Sequence, residues 1–267
     1  LPLLINKATP PLSLHLGYDT VTYASTEWQN NWIYANFTAE NPLPWRLYRN
    51  GELIENTTGL VLRLSFDEGS GATAEDSSGY KNDGTLYDAN TTNDDGDTPP
   101  QWVAGKFGKA LEFDGKDSYV EVPEEVCGET LDVEKVTLML WVKFLSFTPV
   151  NFNDIIEFAC IAYGIYHDGS GQLQVALNID GSSRLYSTGY YLPLNQWVLL
   201  TLTYDGEVVR AFVNGDKVFT RDISGTLEAN PPKTLEIGGD VEEGQYANCV
   251  IDEVRIYNRA LSEEEIR

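Results

Sequence analysis

Two carboxylates stand at strand positions whose neighbours are otherwise apolar. Glu68 continues the alternation of an apolar pattern that begins at Leu60, and Asp252 has the same phase as Val254 and Ile256. Because successive side chains of a strand point to opposite faces, this phase predicts that both acids face the core. An unpaired buried carboxylate is costly, so each acid is expected to have a compensating partner.

Calcium is the partner that the surrounding residues favour. Arg63 and Arg255 have the opposite phase, whereas the loop DSSGYKNDG offers oxygen ligands shortly after Glu68. Ca²⁺ accepts about six to eight oxygens in irregular geometry. The predicted ligands of a structural calcium ion are Glu68, Asp76, Asn82 and Asp252, with Asp67 as a lesser candidate. In the alternative interpretation, these side chains cap turns and accept hydrogen bonds from backbone amides.

Catalytic arrangements are not evident. β-Sandwich glucanases place paired acids on one strand in an E-x-D-x-E pattern, which this sequence lacks. Asp154 and Glu157 are three residues apart, which on a regular strand puts them on opposite faces. The two histidines, His15 and His167, accompany no G-x-S-x-G motif. We therefore expect a protein that is not an enzyme.

Aromatic residues near polar turns are the candidates for ligand contact. Glycan-binding faces combine aromatic rings with polar side chains that bind hydroxyl groups. Trp141 and Trp197 fall in strands with a core-like pattern and are not candidates. Each candidate could instead serve packing or loop structure. The candidate ligand-binding residues are Tyr163, Tyr166, Asp168, Tyr190, Tyr191 and Trp102.

Composition narrows the partners. With 18 basic and 41 acidic residues, the net charge is −23, which disfavours nucleic acid and anionic membranes. No apolar run approaches the roughly 18 residues of a membrane span, so no membrane insertion is expected. Cys127, Cys160 and Cys249 allow at most one disulfide, whose pairing the sequence leaves open. Asn-X-Thr sequons stand at Asn36, Asn56 and Asn90, and imply export if they are used.

The spacing of apolar residues predicts an all-β chain. Trp197 to Asp222 reads as a three-stranded meander with turns at Asp205-Gly206 and Asn214-Gly215, the dipeptides that favour primed hairpin turns. Helical periodicity is absent apart from a capping box at Ser262. We predict an antiparallel β-sandwich over residues 58–267, preceded by a small β segment over residues 1–57 that is immunoglobulin-like or packs on the next domain.

Several motifs resemble one family in its own order. They are FDEGSG from Phe66, DSSGYKNDGTL from Asp76, GKFGKALEFDGKDSYVEV from Gly105, LMLWVK from Leu138, QWVLLTLTYDG from Gln196 and IDEVRIYNRALSEEEI from Ile251. Over residues 59–267 the chain resembles the laminin-G-like jelly-roll domains of the concanavalin A-like lectin/glucanase superfamily. The resemblance implies two facing antiparallel sheets, a secreted or surface protein, and often one structural calcium ion near the chain ends.

Two functions remain open at this point. The first is a non-catalytic, extracellular carbohydrate-binding module stabilised by calcium. The second is a structural or adhesive domain on a cell or virion surface, with a surface protein as its partner. Fold does not decide between them, since one fold carries many functions.

Overall fold

The chain forms two compact units, Leu1–Thr57 and Thr58–Arg267. The computed structural model describes residues 57–89, 98–147 and 153–267 in full, and the strand backbone within residues 1–56. The strands of the first unit are β1 Pro2–Asn6, β2 Leu12–Leu16, β3 Asp19–Tyr23, β4 Trp32–Asn36, β5 Arg46–Arg49 and β6 Glu52–Ile54. In this unit β1 pairs with β4, and a second sheet has the order β3-β2-β5-β6.

The second unit contains two large antiparallel sheets. Its elements are β7 Leu60–Leu64, β8 Thr73–Ala74, β9 Gly84–Asp88, β10 Gln101–Ala104, β11 Lys109–Asp114, β12 Ser118–Val122, α1 Glu124–Cys127, β13 Val136–Phe144, β14 Asn153–Phe158, β15 Tyr163–His167, β16 Gln172–Ile179, β17 Ser182–Tyr191, β18 Trp197–Tyr204, β19 Val208–Val213, β20 Asp216–Asp222, β21 Leu235–Ile237, β22 Gly239–Asp240, β23 Gln245–Tyr246, β24 Asn248–Tyr257 and α2 Glu263–Ile266.

The two sheets enclose one hydrophobic core. Sheet one has the order β10-β11-β24-β13-β18-β19-β20, with β7 also paired to β24; sheet two has the order β17-β16-β15-β14-β21-β12-β9-β8. Leu138 and Leu202 of sheet one and Val120 and Ile165 of sheet two belong to the same buried cluster. The predicted all-β, antiparallel sandwich is confirmed.

The predicted meander is confirmed as β18, β19 and β20, with antiparallel pairing throughout. Asn214 and Gly215 have φ of 54° and 83°. A type I′ turn requires positive φ at both central residues, and this is why Asn-Gly connects β19 to β20.

Two β-bulges interrupt the regular alternation of side chains. In β14 Asp154 pairs with Tyr166 but Ile156 pairs with Ile165, which leaves Ile155 as an extra residue. In β24 Asp252 pairs with Trp141 but Arg255 pairs with Met139, and Glu253 has a φ of 51°. A bulge shifts the phase of the side chains that follow it.

The chain closes with the predicted capping box at α2. The Ser262 side chain accepts a hydrogen bond from the Glu265 amide, and the Glu265 side chain accepts one from the Ser262 amide. Ile266 then packs with Met139 and Tyr257 in a small second cluster outside sheet one. Each of the two described helices has four residues, so neither is long enough to cross a membrane.

Candidate functional site

The bulge in β14 places two acids on one face of sheet two. Ile155 and Ile156 both face the core and are fully buried, so Asp154 before them and Glu157 after them point to the outer face. The argument that Asp154 and Glu157 must face opposite ways is therefore wrong. Their spacing is compatible with a shared site because the extra residue resets the alternation.

A third acid joins them from the β22–β23 hairpin. Carboxylate oxygens of Asp154, Glu157 and Asp240 all lie within 4.8 Å of one another, and among the described residues they are the group whose geometry could hold a metal ion. Their exposed fractions are 3%, 6% and 9%. Three acids thus converge at one nearly buried point of the outer face.

Hydrogen bonds fix two of these acids and leave the third without a donor. Glu157 accepts 2.6 Å from the Tyr166 hydroxyl at Oε2 and 2.9 Å from the Ile161 amide at Oε1. Asp240 Oδ1 accepts the amides of Glu242 and Glu243 at 2.7 and 2.9 Å. No described side chain or amide donates to the Asp154 carboxylate.

Burial and like charge raise the pKa of three acids around this point, Asp154, Glu157 and Glu236. Burial, followed by the charge of Glu157, raises the pKa of Asp154 to about 9. Burial raises the pKa of Glu157 to about 7, against the lowering effect of the Tyr166 hydrogen bond. Burial and the charge of Asp240 raise the pKa of Glu236, on neighbouring β21, to about 8. Several acidic groups therefore lie close together where water is scarce, which favours their protonated forms.

A cleft opens over these acids. It has a volume of about 330 Å³ and includes Tyr166, Leu185 and Gln245 in its walls beside the three carboxylates. A smaller cavity of about 110 Å³ shares Glu157 and Asp240 and extends towards Glu121 and Glu236. The combination of acids, an amide and apolar side chains suits a polar ligand with some apolar surface.

Cys160 borders both cavities but is not an activated thiol. Burial and the charge of Glu157 raise its pKa to about 11. All three cysteines are free: Cys160 is exposed, whereas Cys127 and Cys249 are buried. At neutral pH the Cys160 sulfur is a neutral thiol, which is a poor nucleophile and a poor metal ligand.

Asp76 and Asn82 of the predicted calcium set already have hydrogen-bond partners. Asp76 accepts the amides of Arg63, Ser78 and Asn82 and the Ser78 hydroxyl, at 2.7–2.9 Å. Asn82 is fully buried, donates to the Val61 carbonyl and accepts from Thr130. These contacts match the alternative interpretation, in which both residues organise the loop.

Glu68 and Asp252 each keep one buried oxygen without a hydrogen bond. Glu68 Oε1 accepts the Glu75 amide and Asp252 Oδ2 accepts the Phe107 amide, whereas Glu68 Oε2 and Asp252 Oδ1 have no partner. Asp67 is exposed, and its Oδ1 accepts the Lys109 amide. An ion could bind the free oxygens of Glu68 and Asp252, whereas Asp76 and Asn82 already have hydrogen-bond partners.

The phase argument for Asp252 is corrected by the second bulge. Asp252 is fully buried, but it pairs with Trp141 and lies on the outer face of sheet one, whereas Ile251 and Val254 face the core. The positive φ of Glu253 shifts the phase between them. Burial comes instead from the segment that contains Gly105 and Phe107, which closes over the acid.

The predicted ligand-binding residues have different environments. Tyr163 is fully buried and donates to the Leu131 carbonyl, so it cannot contact a ligand, and its nomination is wrong. Tyr166 lines the cleft, although it is only 4% exposed. Asp168 accepts the amides of Ser170 and Gln172 and so holds a turn.

Tyr190 and Tyr191 lie at the end of strand β17 rather than in the predicted loop. Tyr190 packs against the core, whereas Tyr191 is 61% exposed. Trp102 is half-buried against the core, and its Nε1 donates to the Gly71 carbonyl at 2.9 Å. Of these three, Tyr191 is the side chain most available to a ligand.

Trp141 and Trp197 were expected to lie in the core, but they do not. Both are half-buried on the outer face of sheet one, since Leu140, Val142 and Val198 occupy the core face. Lys106 Nζ lies 4.5 Å from the Trp141 ring centroid, and Lys143 Nζ lies 5.3 Å from that of Trp197. The cations cover rings that the sheet leaves accessible.

Sequence reasoning missed the centre of the cleft. The order polar-apolar-apolar-polar in Asp154-Ile-Ile-Glu157 was a usable signal, because two adjacent core residues flanked by acids are what a bulge produces. Asp240, Glu236 and Gln245 gave no comparable signal, since they are distant in sequence and reach the site through the fold.

Comparison with known proteins identifies the family. A model of the concanavalin A-like lectin/glucanases superfamily, in its laminin-G-like form, matches residues 114–267. The chain belongs to this superfamily, as the sequence motifs predicted. Comparison with curated proteins finds no match.

Solved structures with the same fold include a sugar complex and several toxin domains. Domain 4 of AbnA, a GH43 extracellular arabinanase from Geobacillus stearothermophilus in complex with arabinotriose, is 23% identical with a TM-score of 0.58, over 78% of this chain and 96% of that one. The binding domain of Paraclostridial Mosquitocidal Protein 1 is 18% identical with a TM-score of 0.60, over 78% and 51%.

A third structure contains a protein partner. The binding domain of botulinum neurotoxin DC in complex with rat synaptotagmin II is 15% identical with a TM-score of 0.56, over 78% of this chain and 50% of that one. The chain thus spans about half the length of these toxin domains. At such identities the likeness establishes the fold alone.

Proposed function

We propose that this chain is a non-catalytic, extracellular recognition domain that binds carbohydrate in the cleft on the outer face of sheet two. The observation that carries the proposal is the composition of that cleft. Carboxylates and the Gln245 amide can bind sugar hydroxyls, while Leu185 and Tyr166 offer apolar surface to a sugar ring. Its volume of about 330 Å³ is at the lower end of small-molecule sites and suits one or two sugar rings.

The electrostatics of the cleft favour binding over hydrolysis. Glycosidases need one carboxyl group protonated and a second ionised at the working pH. Here the pKa values of Asp154, Glu157 and Glu236 are all raised, to about 9, 7 and 8. These three shifts have the same direction, so they assign neither a general acid nor a nucleophile among Asp154, Glu157 and Glu236.

The structural relatives are consistent with either class of ligand. Domain 4 of the arabinanase was solved with arabinotriose, and one botulinum neurotoxin study concerns entry that depends on two ganglioside molecules. Another neurotoxin binding domain holds synaptotagmin II. An adhesive domain with a protein partner is therefore the second candidate, and its partner would be found on a cell surface.

A glycan array separates the two candidates. We expect the chain to retain specific oligosaccharides, arabinotriose being one informative member of the panel, in buffer with calcium. Leu185→Ala should lose that binding, whereas Leu194→Ala should keep it, since Leu194 is similarly exposed (41% against 43%) but does not line the cleft. Silence across the array for a folded chain would favour the adhesive domain.

We also propose a structural calcium ion held by Glu68 and Asp252. The proposal is supported by their buried oxygens without hydrogen bonds and by the reluctance of proteins to bury unpaired carboxylates. EDTA should lower the Tm of the chain and added calcium should restore it. Asp252→Asn should reduce this response, because it removes a ligand of this ion. A Tm indifferent to EDTA would exclude the ion.

A further inference from the structure

The cluster of Asp154, Glu157 and Asp240 brings three acids together, and no buried basic residue of the cleft wall balances their charge. The groups that act most strongly on Asp154 after burial are four acids: Glu157, Asp240, Glu236 and Glu243. The one basic residue in the cleft wall, Arg184, is exposed. Three ionised acids at such separations repel one another unless protons or a cation neutralise them.

Asp154 gives independent evidence for a missing partner. Its exposed fraction is 3%, it points into the cleft, and no described donor reaches its carboxylate. Buried carboxylates normally accept hydrogen bonds, and an orphan of this kind requires an explanation. Glu157, in contrast, accepts from the Tyr166 hydroxyl and the Ile161 amide, and Asp240 accepts from two amides of its own turn.

We propose that Asp154, Glu157 and Asp240 form a divalent-cation site, selective for calcium, at the floor of the cleft. Ligands that are all carboxylate oxygens select hard cations over zinc or copper. The Tyr166 hydroxyl, which donates to Glu157, and the Ile161 amide hold one ligand in place, as outer groups do in established metal sites. Three carboxylates fill part of a calcium shell, and the open side of the cleft admits water or ligand hydroxyls for the rest.

This site is distinct from the one proposed at Glu68 and Asp252. Asp154 and Glu157 belong to β14 of sheet two, whereas Asp252 belongs to β24 of sheet one. The inference does not depend on sugar binding, because it follows from the acids alone. Cation binding and glycan binding can therefore succeed or fail separately.

Calcium titration of the chelator-treated full chain, by calorimetry, tests the proposal. Asp154→Asn and Asp240→Asn should each raise the Kd of one calcium equivalent by at least about tenfold. Glu121→Gln, an acid beside the smaller cavity but outside the three, should bind as the wild type does. Asp252→Asn should retain the same equivalent, which separates the two sites.

The outcomes are decisive in either direction. If Asp154→Asn fails to fold, Asp240→Asn carries the test, since Asp240 lies in the β22–β23 hairpin outside the large strands. Wild-type stoichiometry and affinity in both variants would overturn the proposal. So would the absence of any calcium equivalent in the Asp252→Asn variant. Loss of one equivalent in Asp154→Asn alone, with Asp240→Asn folded and unchanged, would also contradict the three-ligand site.

Discussion

Tyr166 donates a 2.6 Å hydrogen bond to Glu157 and is at the same time the cross-strand partner of Asp154. One tyrosine of β15 is therefore hydrogen-bonded to Glu157 and lies opposite Asp154, the two acids that the β14 bulge brings to one face. Its hydroxyl is buried, and burial together with the charge of Glu157 raises its pKa well above the usual value. Tyr166 is accordingly a fixed hydrogen-bond donor at every physiological pH.

Removing this hydroxyl should destabilise the domain. Tyr166→Phe leaves Glu157 Oε2 without its donor in a nearly buried position, at a cost of about 1.5–3 kcal/mol because the acceptor is an acid. Urea denaturation in EDTA at pH 8 measures the change. Tyr163→Phe is the matched control: its hydroxyl donates to the neutral Leu131 carbonyl, so about 1 kcal/mol is expected. Equal losses of unfolding free energy in the two variants would contradict a stronger hydrogen bond from Tyr166 to Glu157.

Stability of the chelated domain should fall as the pH rises. Burial, and then the charges of Asp240, Glu157, Glu121 and Glu242, raise the pKa of Glu236 from 4.5 to about 8. Between these values the folded state binds more protons than the unfolded state, so the free energy of unfolding decreases with increasing pH.

Thermal melting from pH 5 to pH 8.5 in EDTA checks this sign. Glu236→Gln should flatten the slope of Tm against pH, because an amide has no proton to lose. Glu134→Gln, at an exposed loop position, should leave the slope unchanged. A Tm that rises with pH over this interval would contradict the electrostatics described for the cleft.

Gly238 should tolerate no side chain. Its φ is 85°, and a Cβ atom would clash with the buried Phe113 ring. We expect Gly238→Ala to cost more than about 3 kcal/mol, since it combines backbone strain with overpacking. Gly189→Ala provides the comparison: φ is 79° but nothing lies within 4 Å, so strain alone remains, about 1 kcal/mol. Chemical denaturation of both variants gives the difference directly.

The last turn of the chain should contribute modest stability through its cap. Ser262→Ala removes the acceptor of the Glu265 amide and should cost about 1 kcal/mol. The pKa of Glu265 is lowered to about 2, chiefly by the Arg259 side chain. The stability that ionised Glu265 contributes is complete above the ordinary pKa of a glutamate and is lost as the pH falls towards 2. Denaturation at pH 7 measures this loss of unfolding free energy. The Ser262→Ala variant should remain folded.

The sandwich could be predicted because its strands follow local rules. The alternation in Trp197–Tyr204 and the Asn214-Gly215 dipeptide depend on neighbouring residues alone, and both are found where the pattern placed them. The buried carboxylate at Asp252 was also predicted, although it lies on the other face of its sheet. The alternation of residues predicts which face of a sheet a side chain occupies only where the strand remains regular.

The candidate site could not be predicted for the same physical reason. Bulges at Ile155 and Glu253 change which side chains share a face, and the order polar-apolar-apolar-polar around Ile155 was a signal for the first of them alone. Asp240 comes from a hairpin some eighty positions after Asp154, and only the folded chain brings the two together. The acidic run that follows Asn90 and the three sequon asparagines lie outside the side chains that the structure describes.

Binding of an oligosaccharide in the cleft of sheet two is the claim on which the account depends. The most direct measurement is a calorimetric titration of the best oligosaccharide from the array into the wild type, Gln245→Ala and Tyr80→Ala. Gln245 lines the cleft, whereas Tyr80 is an exposed residue that does not. We expect Kd to rise at least about tenfold for Gln245→Ala, through loss of hydrogen bonds to hydroxyls, and to stay constant for Tyr80→Ala. Unchanged affinity in Gln245→Ala and Leu185→Ala, both folded, would contradict it.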